Sequence, residues 1–152
     1  MSKAIIVFES RWGNTRLVAE KIAEGMKQVP GTEVAIEDVK DLDNARLSNY
    51  GIILIGSPNH IGGATRNIGS LVNKLGELHL DGKSAATFDT CWSADHGKTS
   101  GKLERMISQK APGIKIISPG LSVVISGMKG PVPDNEQVKC VEFGKKIAAQ
   151  AA

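Results

Sequence analysis

Cysteine, aromatic residues and long apolar runs are all scarce in this sequence, and each shortage removes a class of protein. Two cysteines, Cys91 and Cys140, in 152 residues are too few for a disulfide scaffold and make no CxxC pair for redox or metal chemistry. Both are expected as reduced thiols. No apolar stretch approaches the roughly 20 residues needed to cross a bilayer, and the N-terminus opens on a strand-like run instead of a basic, cleavable leader. The expectation is a cytoplasmic protein with no membrane partner. An excess of one charge is missing too: the formal charge is +3, with acidic and basic residues interspersed. With 4% aromatic residues there is no basic stripe interleaved with aromatics, so no nucleic-acid partner is expected.

What is present is a chain 41% hydrophobic and 23% charged, the size and balance of one domain spanning 1–152. It has no linker, low-complexity tract or fixed-period repeat; short apolar runs alternate with amphipathic segments. The runs are Ala4–Phe8, Val34–Val39, Gly51–Ile55, Ser84–Phe88, and Ile114–Ile117 continuing through Leu121–Ile125. Several are apolar throughout, as strands covered on both faces should be. Between them, helical stripes read Val18, Ile22, Met26, Val29; Ile68, Leu71, Val72, Leu75; and Leu103, Met106, Ile107. A last helix begins after Pro133 with a capping-box-like Asp134-Asn135-Glu136-Gln137 and is marked by Val138, Val141 and Ala148. The polar connection Lys40–Tyr50 is too short for a helix to be expected. The pattern predicts an α/β fold with a doubly wound, five-stranded parallel sheet in the order 2-1-3-4-5 and helices on both faces.

Such folds bind ligands outside the carboxyl ends of the strands, where strand order reverses. That directs attention to the loops Ser10–Thr15, Gly56–Arg66 and Asp89–Ser100. In the first, Gly13 permits a tight turn while Ser10, Asn14 and Thr15 place short donors at a helix start. Backbone amides and the helix dipole there favour an anion, making a phosphate cradle without lysine. Arg16, in the first turn, is unfavourable against an empty helix terminus and acceptable beside a dianion. An ordinary turn with an N-cap accounts for the same residues, and both readings stay open on this loop alone.

The apolar run followed by "ESRWGNT" resembles the flavodoxin phosphate loop, T/S-x-T-G-N-T. The likeness continues through "GIILIGSPNHIGGATRNIGSLVNKL" and "AATFDTCW". It covers nearly the whole chain and is closest to the short flavodoxin-like proteins of archaea and anaerobes; flavodoxin is itself a reference case for the 2-1-3-4-5 order. The resemblance implies FMN as cofactor. It assigns Ser10, Asn14 and Thr15 to the phosphate, with the amides of Arg11, Trp12 and Gly13 alongside. Trp12 departs from the pattern, standing where a threonine is usual, and Arg11 is expected to point outward.

A flavin ring needs a slot with apolar or aromatic faces and backbone groups at its polar edge. Pro58, Asn59, His60, Ile61, Gly62 and Gly63 form one candidate wall; Thr90, Cys91, Trp92 and His96 form the other. Trp92 is the expected stacking residue, with His60 or Ile61 across from it. In the family a peptide of the first wall turns over on one-electron reduction to stabilise the semiquinone, and Gly62-Gly63 suits that movement. A merely mobile loop is the alternative. Cys91 is expected as a small buried filler, and His60 and His96 as loop contacts. Arg11, His60, Arg66, His96 and Lys98 outnumber Glu9, Asp89 and Asp95 near the loops, unlike acidic flavodoxins, so a less negative hydroquinone potential is expected.

Two competing motifs fail. Gly97-Lys98-Thr99 imitates a nucleotide-binding P-loop, but Trp92 stands where its leading glycine belongs. A receiver domain needs an acidic cluster after the first strand, where only Glu9 occurs. The resemblance therefore implies a monomeric electron carrier between redox partner proteins, working through semiquinone and hydroquinone states. The alternative is an FMN-dependent NAD(P)H:quinone-type oxidoreductase, for which the chain shows no inserted nicotinamide-binding segment.

Overall fold

The run Ala4–Phe8 is apolar at every position, so when extended it presents apolar side chains to both faces of a sheet and both need cover. A computed structural model of the chain describes residues 2–60, 62–127 and 129–151. In it β1 (Ser2–Phe8) lies between β2 (Thr32–Asp38) and β3 (Ile52–Pro58), followed by β4 (Ser84–Cys91) and β5 (Lys115–Ile116), all parallel. The order is 2-1-3-4-5, as the apolar runs predict.

The two faces of β1 seed two cores. Ala4, Ile6 and Phe8, with Ile52, Leu54 and Phe88, pack under α1 (Asn14–Lys27) and α4 (Asp134–Ala151). Ile5 and Val7, with Ile53 and Ile55, pack under α2 (Arg66–Lys74) and α3 (Lys98–Lys110). Each fully buried Ile, Leu or Phe contributes about 1.5–3 kcal/mol of transfer free energy. The cover of the first core is tight: a Cβ on Gly25 would lie 1.9 Å from the Val141 carbonyl oxygen, and one on Gly144 2.1 Å from that of Ile22. Only glycine lets α1 and α4 approach so closely.

Two local features differ from expectation or refine it. The fifth strand comes in two pieces, because β6 (Leu121–Val124) also pairs with β4 and is separated from β5 by a break at Ser118-Pro119-Gly120. Proline cannot donate to a ladder, and the Glu104 carboxylate instead accepts the Ser118 hydroxyl at 2.7 Å and the Gly120 amide at 2.6 Å. In α4 the expected stripe is corrected: Val138 is 61% exposed, and the buried row is Glu136, Cys140, Phe143, Gly144, Ile147 and Ala148. That row has helical spacing, but it opens on a carboxylate, which disguises it in the sequence. Glu136 is buried because its Oε1 accepts the Val124 amide at 2.8 Å while Lys139 pairs with Oε2 at 2.7 Å. The polar connection after β2 holds only a 3-10 helix, Asn44–Asn49, anchored by buried Leu47.

Because the strands are parallel, the loops leaving β1, β3, β4 and β6 emerge at one edge of the sheet.

Candidate functional site

The first of these loops turns on Gly13, whose φ of +92° is costly for any side chain with a Cβ. Gly13 occupies the N-cap position of α1 and has no side chain to cap it. Ser10 supplies the cap from upstream, its Oγ accepting the amides of Gly13 at 3.0 Å and Arg16 at 3.4 Å. Among the described residues the amides of Arg11, Trp12, Asn14 and Thr15 find no acceptor, so four donors remain at the positive end of the helix. Arg11 is exposed, and Arg16 stands 5.0 Å from the centroid of the Phe8 ring. The chain preceding α4 closes over this loop: the Gly130 backbone lies against the Asn14 side chain, and Lys129 Nζ sits 4.7 Å from the Trp12 ring centroid.

In the second loop His60 and Gly63 exchange backbone hydrogen bonds of 2.7 and 3.1 Å, with Gly62 at φ +77° completing the turn. The Gly62 carbonyl accepts from Lys102 Nζ of α3. Ile61 lies outside the described residues. Asn59 ties this loop to the third: its amide donates to the Thr90 carbonyl at 2.8 Å, its Nδ2 to Asp95 at 2.9 Å, and its Oδ1 accepts from Thr99 Oγ1 at 2.7 Å.

The third loop is built on a buried acid. Asp89 Oδ2 accepts the Ser100 amide at 2.8 Å and Oδ1 the Ser122 hydroxyl at 2.5 Å; Ser122 Oγ in turn accepts the Gly97 amide at 2.9 Å. Asp89 thereby caps the N-terminus of α3, the position a P-loop would offer to a phosphate. Burial pushes its carboxyl above the usual range despite these bonds. The Cys91 thiol, 3.3 Å from Ser122 Oγ, is likewise pushed up by burial to about 11 and stays protonated at neutral pH. At the surface, the bond from Lys98 holds Asp95 below the usual carboxylate range.

Between the loops lies a cleft of about 830 Å³, within the range of small-molecule and cofactor sites. It gathers Ser10, Arg11, Trp12, Asn14, Thr15, Pro58, Asn59, His60, Thr90, Cys91 and Trp92 from the candidate residues. Gly13, Gly62, Gly63 and His96 are not in its lining; the glycines shape the loops, and His96 is exposed beyond the 3-10 turn Ser93–Asp95. Glu9, Lys40, Thr65, Arg66, Asp95 and Ile125 complete the wall. Thr65 is informative among them: its Oγ1 is buried with no hydrogen-bond partner among the described residues. Its signal in the sequence is a threonine at the N-cap position of α2, yet the side chain makes no capping bond.

The flavodoxin-domain family model matches residues 5–115, which carry β1 to β4 and all three loops. The chain belongs to the flavodoxin family. It is 26% identical over 152 residues to a flavodoxin of Clostridium saccharobutylicum, covering 96% of this chain and 95% of that one. It is 30% identical over 93 residues to a flavodoxin of Aquifex aeolicus (strain VF5), covering 59% of this chain but spanning only 50% of that protein's length. Among solved structures, a flavodoxin from the domain Archaea superposes with a TM-score of 0.83 at 21% identity, over 98% of both chains, a likeness of fold. Membership of the flavodoxin family implies a flavin cofactor. No helix among the described residues is long and apolar enough to cross a membrane.

Proposed function

We propose that this protein binds FMN in the cleft and carries electrons between redox partner proteins in the cytoplasm. The observation that carries the reading is the pairing of unbonded donors inside one cleft. Four amides at the start of α1 suit a phosphate, and the buried Thr65 hydroxyl suits a ligand polar atom. A buried hydroxyl without a partner costs about 1–3 kcal/mol, which a bound group would relieve.

The residues divide the work by chemistry. Ser10, Asn14 and Thr15, with the amides of Arg11 and Trp12, would hold the phosphate, while the Gly13 amide is kept by Ser10 Oγ. Pro58, Asn59 and His60 would border the ring on one side, with Gly62 and Gly63 shaping their loop, and Thr90, Cys91 and Trp92 on the other. Bound flavin supplies one- and two-electron redox chemistry that no side chain here can. The Asn59–Asp95–Lys98 bonds hold the two walls together, and the bond from Lys102 fixes the Gly62 carbonyl. Cys91 and Cys140 are free and buried, which suits a reducing compartment.

The test is an absorption spectrum of the protein with added FMN, followed through stepwise anaerobic reduction. Retention of FMN and two resolved one-electron steps support the carrier. A single two-electron step with steady-state NAD(P)H oxidation would replace it by a reductase, and failure to retain FMN would overturn both.

A further inference from the structure

The mouth of the cleft brings exposed tryptophans and cations together. Trp12 and Trp92 are 48% and 51% exposed; among the described residues only Val138 joins them as a large, well-exposed apolar side chain. Both tryptophans line the cleft. Arg11, Lys40 and Arg66 stand beside them in its wall, while Lys98, Lys102 and Lys129 are each held on a residue of its loops. Two carboxylates share this rim, and both are engaged. Glu9 accepts from Asn67 at 2.7 Å and lies 3.8 Å from Lys40. Asp95 is taken by Asn59 and Lys98, each at 2.9 Å.

Arg11, Arg66, Lys102 and Lys129 have no carboxylate partner among the described residues. The six rim cations outweigh the two carboxylates by more than the whole chain's net +3, so the rest of the chain carries no net positive charge. A phosphate dianion in the first loop would lower the rim charge without reversing it.

We infer that this rim docks an acidic redox protein, whose carboxylates meet Arg11, Arg66, Lys102 and Lys129 around an apolar centre on Trp12, next to the flavin-bordering Trp92. The inference rests on the electron-carrier reading and names the chemistry of the partner. Exposed Trp and Arg are the residues that dominate association energetics when buried. A ring of like charges steers the encounter and sets its orientation. Lys102 and Lys129 are already held by the Gly62 carbonyl and the Trp12 ring, so less side-chain freedom is lost on docking. Three of the cations line the cleft and three are held on its separate loops, so they do not run as a stripe along one element, which favours a folded partner over a nucleic-acid strand.

The test uses the FMN-loaded protein with a plant-type ferredoxin as a folded acidic redox probe, cytochrome c as a basic one, and a DNA duplex. Binding is followed by calorimetry and by NMR shifts of the two indole N–H groups. The expected result is ferredoxin binding that moves both indole signals and weakens with salt. Lys102→Glu/Lys129→Glu should lower that affinity at least about tenfold, or ~1.4 kcal/mol. Lys27→Glu/Lys146→Glu, on exposed sites toward the far ends of α1 and α4, makes the same charge change and should alter it less than about twofold. Equal losses in the two variants, tighter binding of cytochrome c, or tighter binding of the duplex would each overturn the inference. FMN uptake is scored separately by fluorescence quenching, so failure of the carrier reading appears as absent uptake by the parent protein.

Discussion

The hydroxyls of Thr15 and Thr90, 75 positions apart in the chain, meet at 2.9 Å in the protein interior. One belongs to the first turn of α1 and the other to the end of β4, so this bond fixes the first loop against the third. Thr15→Val would strand the Thr90 hydroxyl at a site only 3% exposed, costing roughly 1–2 kcal/mol. Thr15→Val/Thr90→Val should cost less than the two single changes together, because neither partner is then left unpaired. A double-mutant cycle by urea unfolding measures this coupling.

Thr65→Val should move two properties in opposite directions. Replacing a buried hydroxyl that lacks a partner raises the stability of the flavin-free protein by up to about 1 kcal/mol. If that hydroxyl bonds FMN, the same change weakens FMN affinity about tenfold, ~1.4 kcal/mol. Thermal unfolding without flavin and fluorescence titration with FMN read the two effects; unchanged affinity would remove Thr65 from the site.

The helix crossing gives a contrast between glycines. Gly25→Ala and Gly144→Ala each drive a methyl group into the backbone of the facing helix and should destabilise by about 1–3 kcal/mol or more. Gly69→Ala, inside α2 with nothing within 4 Å of the new carbon, should stabilise by about 0.5–1 kcal/mol. Chemical denaturation of the three variants decides the matter.

Glu136 sets a pH dependence. Burial acts to raise its carboxyl, but the Lys139 ammonium and the Val124 amide outweigh that, with a smaller favourable contribution from His96, leaving it below its ordinary value. A depressed folded-state value means stability present above the unfolded value and lost as pH falls through the folded one. Glu136→Gln should therefore destabilise the protein most near neutrality and progressively less toward about pH 3. Parallel unfolding curves for parent and variant across that range would show otherwise.

The strands were legible because buried parallel strands are apolar at every position, as in Ala4–Phe8 and Ile52–Ile55, while their order followed from the alternation with helices and the likeness to flavodoxins. Helix α4 begins where expected, but its buried face was misread because Val138 is apolar and exposed while Glu136 is charged and buried, held there by a partner twelve residues away, the Val124 amide. The loops of the cleft could be found from strand ends alone. Thr65 stands in the second of those loops, but nothing local marks its hydroxyl as unpartnered, and Lys40 could not be found because its place in the wall depends on how the chain after β2 folds back. The P-loop likeness at Gly97-Lys98-Thr99 is set aside by Asp89, a residue that no local pattern links to that helix end.

The interruption of the outermost strand also bears on behaviour at high concentration. An unbroken edge offers a row of free amides and carbonyls on which a second sheet can grow. Here that edge is divided into pieces of two and four residues by a proline and a carboxylate-held turn. The opposite edge, β2, is unbroken but carries Glu33 and Asp38, with Glu37 paired to Arg46. One border is too short to template a neighbour, and the other repels a copy of itself, so the molecule resists sheet-to-sheet aggregation.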